Sequence, residues 1–241
     1  MWRNQKVTVI FPAYNEEENI RHAVNDFLRQ EYVDEVIVVD NNSKDNTVAE
    51  VKKTKAKLVR EKKQGYGNAI QGGLKVVDSD LIIIAEPDGT FEGKDVLKLL
   101  VYSDDFDMVL GTRTSKELIR EGANMGPFLK WGNWFLGKMI EVLFNGPNLT
   151  DVGCTMRLIR KDSLKKIQSK FTVGGSHFSP EMMILSIVCK LRVIEISLNY
   201  NQRVGTSKIT GETMPAFKLG LVMMYFILRS WVKYEVLQRD S

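Results

Sequence analysis

Two rhythms of apolar and polar residues alternate along the first half of this chain. Short runs rich in β-branched residues, at 7–11 (VTVIF), 35–40 (EVIVVD), 57–60 (KLVR) and 81–85 (LIIIA), have the length and character of buried strands. Between them the apolar positions take helical spacing. Ile20, Ala23, Val24, Phe27 and Leu28 form one stripe of a helix expected over 16–30. Further helices are expected over 46–53, 65–77 and 94–102, and a fifth strand over 108–110. This alternation predicts an α/β fold, a mainly parallel sheet flanked by helices. The second half is less regular. It reads as an amphipathic helix within 122–148, a strand over 156–159 and a basic helix over 161–170. A helix over 181–189, with Ser179 as its N-cap and Pro180 at its first position, a strand over 192–197 and a C-terminal amphipathic helix over 215–237 follow.

In parallel sheets, ligands sit at the carboxyl ends of the strands. The polar clusters of this chain fall at those ends, at 12–17, 40–45, 86–90 and 111–113. Glu86-Pro-Asp88 directly follows the fourth buried strand, and two acids there can aim at one point. Hard cations such as Mg²⁺ or Mn²⁺ take a few carboxylates together with substrate phosphate oxygens. A solvated acidic turn is the alternative. Asp40 ends the second strand and can accept from a nucleobase N–H or a ribose hydroxyl; Asn42, Ser43 and Asp45 after it also suit a helix-capping turn, with Asp45 as the cap. Gly65-Tyr-Gly67-Asn-Ala69 lacks the third glycine of a dinucleotide fingerprint. It reads as a tight loop letting backbone approach a nucleotide, with Lys62 and Lys63 before it either phosphate ligands or a solvated basic turn. Arg113, Arg157, Arg203 and Lys208 each adjoin small turn residues; together they suit an anionic acceptor.

Composition narrows the classes. The 241 residues are 44% hydrophobic and 27% charged, enough for one large folded α/β domain. A net charge of +4 is too small to call for a nucleic-acid partner. Cys154 and Cys189 form no disulfide framework, so a reducing compartment is expected. His22 reads as a helix-surface residue, His177 precedes the helix cap, and no zinc spacing occurs. No secretory signal is expected at the polar first six residues. The uncharged stretch 219–228 would rise only about 15 Å as a helix, roughly half a bilayer core, so no transmembrane helix is expected.

Taken in order, VIFPAYNEEE (9–18), VVDNNSKDNT (38–47), GYGNA (65–69), Glu86–Asp88, GTR (111–113), DVGCTMR (151–157) and YNQR (200–203) with Ser207-Lys208 resemble a family 2 glycosyltransferase of the GT-A fold. The branch includes dolichol-phosphate mannose and polyprenyl-phosphate glucose synthases. The resemblance spans roughly residues 7–210. It implies a GT-A nucleotide-diphospho-sugar transferase domain over 1–211, with a donor half about 1–113 and an acceptor half about 114–211, and a C-terminal helix over 212–241. It implies nucleotide binding at Pro12, Tyr14, Asn15, Glu16, Asp40, Asn42, Lys62, Gly65 and Asn68. Glu86 and Asp88 correspond to the family's metal-binding Asp-x-Asp motif, with Glu86 one methylene longer than its first Asp. Asp88, Arg113 and Arg157 are the implied catalytic residues. Arg113, Arg157, Arg203, Ser207 and Lys208 are the implied acceptor-phosphate contacts.

The resemblance further implies a GDP- or UDP-linked sugar donor, an inverting transfer to a polyprenyl phosphate, and a peripheral place on the cytoplasmic membrane face. A hydroxyl acceptor, with Asp151 as general base, stays open, as does a non-catalytic nucleotide-sugar-binding subunit. The C-terminal helix is expected to lie in the membrane interface, or to dock on the core, on a membrane-protein partner or on a second copy of the chain.

Overall fold

The computed structural model describes residues 1–123, 126–205 and 213–236. One seven-stranded sheet forms its centre, in the order β3-β2-β1-β4-β6-β5-β7. The strands are β1 (Val7–Ala13), β2 (Glu35–Asp40), β3 (Lys57–Arg60), β4 (Leu81–Ile84), β5 (Met108–Thr112), β6 (Arg157–Arg160) and β7 (Val193–Ser197). β1 pairs in parallel with β2 and β4, β2 with β3, and β5 with β7. β6 lies antiparallel between β4 and β5. The sheet is therefore mainly parallel, as the alternation predicts, with one reversed strand that single-sequence patterning does not reveal.

Successive strand residues face opposite sides and build two cores. Ile10, Ile37, Val39, Ile82 and Ile84 face α3 (Tyr66–Val76), α5 (Pro127–Leu143), α6 (Lys161–Ile167), α7 (Phe178–Val188) and α8 (Thr213–Trp231). Val9, Phe11, Val36, Val38 and Ile83 face α1 (Ile20–Leu28), α2 (Thr47–Val51) and α4 (Val96–Tyr102). This is the GT-A type of α/β architecture with a C-terminal helix.

Three differences from the sequence reading have a clear local reason. The first helix begins at Ile20 rather than at residue 16. Its expected first turn is instead bonded to the loop after β2: Asn15 N donates to Ser43 Oγ, Glu16 N to Thr47 Oγ1 and Glu17 N to Asp45 Oδ2. The N-cap of α2 is Asn46 rather than the expected Asp45, whose Oδ1 accepts from Thr47 N one residue earlier in the turn. α7 begins at Phe178 with His177 in the cap position, so Ser179 lies inside the first turn. Pro180 is tolerated there because a first-turn N–H has no helical acceptor. Lastly, α8 continues through Lys218 and Arg229. The segment Met214–Glu235 is long and apolar enough, by length and composition, to cross a membrane. The apolar helix is thus longer than the uncharged stretch 219–228 suggested, because two basic residues do not interrupt it.

Candidate active site

The carboxyl ends of β1, β2, β4, β5 and β7 share one edge of the sheet, and reversed β6 begins there. At that edge lies a cavity of about 880 Å³, a volume typical of small-molecule sites. Pro12, Tyr14, Asn15 and Glu16 line it from the β1 loop, Glu86 and Asp88 from the β4 loop, Arg113 from β5, and Tyr200 and Arg203 from the β7 loop.

The acid turn after β4 is pinned by its own backbone and by the β7 loop. Asp88, almost fully buried, accepts from Thr90 N at 3.0 Å and from Thr90 Oγ1 at 2.5 Å. Val204 N donates to Asp88 O at 2.8 Å, and Asn201 N to Thr90 O at 3.0 Å. Gly89 turns the chain between these contacts with φ +81°, a region that disfavours side chains. Asn19 Nδ2 holds the Pro87 carbonyl at 3.0 Å.

Arg203 spans the acids. Nη1 donates to Asp88 Oδ2 at 2.7 Å and Nη2 to Glu16 Oε1 at 2.6 Å. Burial pushes the Glu16 carboxyl up to about 7, against the pull of Arg203. Burial and then the neighbouring Asp88 charge push Glu86 up to about 8. Two carboxylates this close, in a low-dielectric setting, lack positive charge. Among the described residues no group of three His, Cys, Asp or Glu side chains forms a complete metal cage. The donor set of Glu86 and Asp88 nevertheless fits a hard divalent cation, because such ions complete their shells with phosphate oxygens and water.

Arg113 is held as a fork on Asp151: Nε lies 2.8 Å from Oδ2, Nη2 2.8 Å from Oδ1, and the Arg113 backbone N also donates to Oδ2 at 2.9 Å. Its guanidinium stacks over the Tyr200 ring at 5.1 Å. Asp151 is fully buried. Both its oxygens are spent on Arg113 and on Gly153 N, which leaves it poorly placed to act as a general base. Glu195 of β7 fixes this loop in turn, accepting from Thr150 N, Thr150 Oγ1 and Asp151 N.

Arg157 stands apart from the cavity lining. It is buried, and its guanidinium donates to the carbonyls of Cys154, Thr155 and Ser179 and to Ser179 Oγ. It ties the start of β6 to the start of α7. Asp40, Asn42, Lys62, Gly65 and Asn68 form a second layer behind the lining residues Asn41 and Gln64. Asp40 Oδ1 accepts from Ser43 N, and Asn42 Nδ2 donates to Lys62 O and Gln64 Oε1. Asn68 Nδ2 donates to Gln64 O. Asn41 is the organiser that pattern reading missed. Its Oδ1 accepts from Gly65 N and Gln64 Nε2, and its Nδ2 donates to Glu61 O and Lys63 O. Its signal in the sequence was only the Asn-Asn pair after β2. Ser207 and Lys208 lie outside the described residues.

Beyond Arg113 the cavity turns apolar. Phe128, Trp131, Phe135 and Leu136 of α5 and Phe217, Leu219, Met223 and Met224 of α8 form its far walls. α8 packs on α5 and α7. His177 meets Phe226 of α8 edge-on at 5.5 Å, and burial lowers its pKa. His22 is on the surface, as expected.

A GT-A sheet whose strand ends gather an acid pair, an arginine-bearing loop and a deep cleft defines a nucleotide-sugar transferase fold. The model for "Glycosyl transferase family 2" matches residues 8–168, and the chain belongs to that family. Its relatives include UDP-N-acetylglucosamine–dolichyl-phosphate N-acetylglucosaminyltransferase of Methanococcus voltae, 27% identical over 233 residues, covering 85% of this chain and 91% of the relative. The dolichyl-phosphate hexose transferase of Haloferax volcanii is 27% identical over 206 residues, covering 84% and 86%. Among solved structures, glucosyl-3-phosphoglycerate synthase of Mycobacterium tuberculosis, in complex with Mn²⁺, UDP-glucose and phosphoglyceric acid, has the same fold. Its TM-score is 0.71 at 16% identity, over 95% of this chain and 80% of that one.

Proposed function

We propose that this glycosyltransferase moves a sugar from a GDP- or UDP-linked donor to a polyprenyl phosphate, with inversion at the anomeric carbon. One observation carries the reading: a single cavity runs from Glu86, Asp88 and Arg113 into an apolar trough between α5 and α8. A phosphate head and an isoprenoid chain need those two environments side by side. The names of the dolichyl-phosphate relatives point the same way.

The nucleoside end of the donor rests on Pro12, Tyr14, Asn15 and Glu16, with Asp40, Asn42, Lys62, Gly65 and Asn68 shaping the loop behind them. Glu86 and Asp88 would hold Mg²⁺ or Mn²⁺, which would supply positive charge to the diphosphate leaving group. Arg113, rigid on Asp151, faces the acceptor phosphate; Arg203, with Ser207 and Lys208 after it in the sequence, completes its charge balance. Arg157 acts at one remove, by placing Ser179 and the β6 entry. In the transfer a phosphate oxygen of the acceptor attacks the anomeric carbon as the bond from that carbon to the diphosphate oxygen breaks. The nucleoside diphosphate departs with the electron pair. A phosphate monoester has a second pKa of about 6, so near neutral pH it attacks largely as the dianion and no proton must be removed. The chain's task is to position and to balance charge.

The place of action in this reading is the cytoplasmic membrane face, with the exposed side of α5 and α8 against the lipid surface, alone or with a membrane-protein partner or second copy. The test is an assay with UDP- and GDP-sugars, Mn²⁺ or Mg²⁺, and a short polyprenyl phosphate. The expected product is an acid-labile glycosyl phosphoryl lipid. No turnover with any donor, together with indifference to Asp88→Asn, overturns the reading.

A further inference from the structure

Tyr66 opens α3, held between two glycines for which the structure gives a reason. A Cβ at Gly65 would stand 2.3 Å from Gly174 O, and one at Gly67 2.5 Å from Val173 O. Gly65 also takes φ +136°, which side chains disfavour. The close approach that these two glycines permit here is that of the chain's own segment at 173–174. Asn68 N donates to Gly174 O at 3.0 Å, and Gln71 Nε2 to Val173 O at 2.9 Å. The start of α3 is clamped, and the Tyr66 side chain is committed to the cavity wall.

Its hydroxyl oxygen is buried and has no hydrogen-bond partner among the described residues. Buried polar groups are nearly always paired, so a fixed phenol left unpaired beside a ligand cavity marks a contact that the ligand completes. Burial, then the Glu86 charge, keep the phenol protonated and therefore a donor. Glu86 and Asp88, which follow β4, and Arg157, which opens β6, act electrostatically on this hydroxyl. Tyr14 and Asn41 line the cavity from the loops after β1 and β2. Tyr66 thus lines the same cavity as the acid turn, where on the reading above the glycosyl group parts from the diphosphate.

We propose that the Tyr66 hydroxyl donates a hydrogen bond to a hydroxyl of the sugar being transferred, and so helps to select that sugar. This rests on the nucleotide-sugar reading above. A neutral, directional donor suits a sugar hydroxyl, whereas a diphosphate calls for cations.

The experiment titrates the full chain, wild type and Tyr66→Phe, with UDP, GDP, UDP-glucose, UDP-N-acetylglucosamine and GDP-mannose in the presence of Mn²⁺. Tyr66→Phe is expected to bind the free nucleoside diphosphate like wild type. It should bind the preferred nucleotide sugar about five- to tenfold more weakly, with discrimination among the sugars narrowed. Without ligand it should melt no lower than wild type, since an unpaired buried polar group has been removed. Equal weakening for the nucleoside diphosphate and the nucleotide sugar overturns the proposal, and so does unchanged binding of both. A melting temperature well below wild type overturns it too, by showing the hydroxyl to be a structural bond. If wild type binds the nucleoside diphosphates but no nucleotide sugar, or binds none of the five, the donor reading falls and this inference falls with it.

Discussion

Arg203 Nη1 lies 2.7 Å from Asp88 Oδ2. The same guanidinium reaches Glu16 across the cleft, so one side chain from the β7 loop balances acids from the β4 and β1 loops. It brings positive charge to the acid turn. Truncation to Arg203→Ala should then act in two directions. Mn²⁺ binding without nucleotide should tighten several-fold, because a competing cation has gone. Turnover should fall by about 10²-fold or more, because phosphate charge is left unbalanced. Titrating Mn²⁺ by electron paramagnetic resonance checks the first effect, and weaker binding would show that Arg203 builds the acid turn rather than competing for it.

Glu86 predicts a pH dependence. Its carboxyl is pushed from 4.5 up to about 8 by burial and by Asp88. Between those values the folded chain holds a proton that the unfolded chain has lost. Without metal, stability should therefore fall as pH rises through this window. Glu16, pushed up to about 7 by burial, adds to the slope. Mn²⁺ needs the carboxylate, so its affinity should rise toward about pH 8 and then level. Urea unfolding of Glu86→Gln across the window should show a shallower slope than wild type; an identical slope would assign the effect to other groups.

The Arg113–Asp151 fork carries a stability prediction. Asp151 is fully buried and Arg113 only 11% exposed, so breaking the pair strands a buried charge. Asp151→Asn should cost about 3 kcal/mol in denaturant unfolding. A loss of turnover with stability intact would instead revive Asp151 as a base.

On the trough side, Trp131, Phe217 and Tyr225 are 62%, 50% and 66% exposed, so changing them should leave the fold intact. The triple change to Ser should reduce sedimentation with anionic lipid vesicles at least several-fold. Unchanged sedimentation would move the docking role away from these helices. Deleting α8 is a poorer test, because its Met223 and Ile227 are buried in the core.

The strands and most helices of residues 1–113 were legible because their burial follows short-range rhythms that a linear chain displays. The polar strand ends marked the edge where the cavity lies. Contacts between distant segments were not legible. Arg157 and Arg113 look alike beside small turn residues, yet one is spent on carbonyls and the other is presented to the cavity. Which occurs depends on where reversed β6 enters the sheet, and no local pattern records a strand's direction.

The sequence by itself determined the α/β alternation, the acid pair at residues 86 and 88 and the family, because motif order and strand periodicity are properties of a line. Tertiary structure alone decided that Arg203 spans Asp88 and Glu16, that Gly65 and Gly67 serve the packing of 173–174, and that α8 walls the same cavity as the acids. Those relationships join residues up to 187 positions apart. Only folding, driven by burial of the two sheet faces, brings them within hydrogen-bond reach.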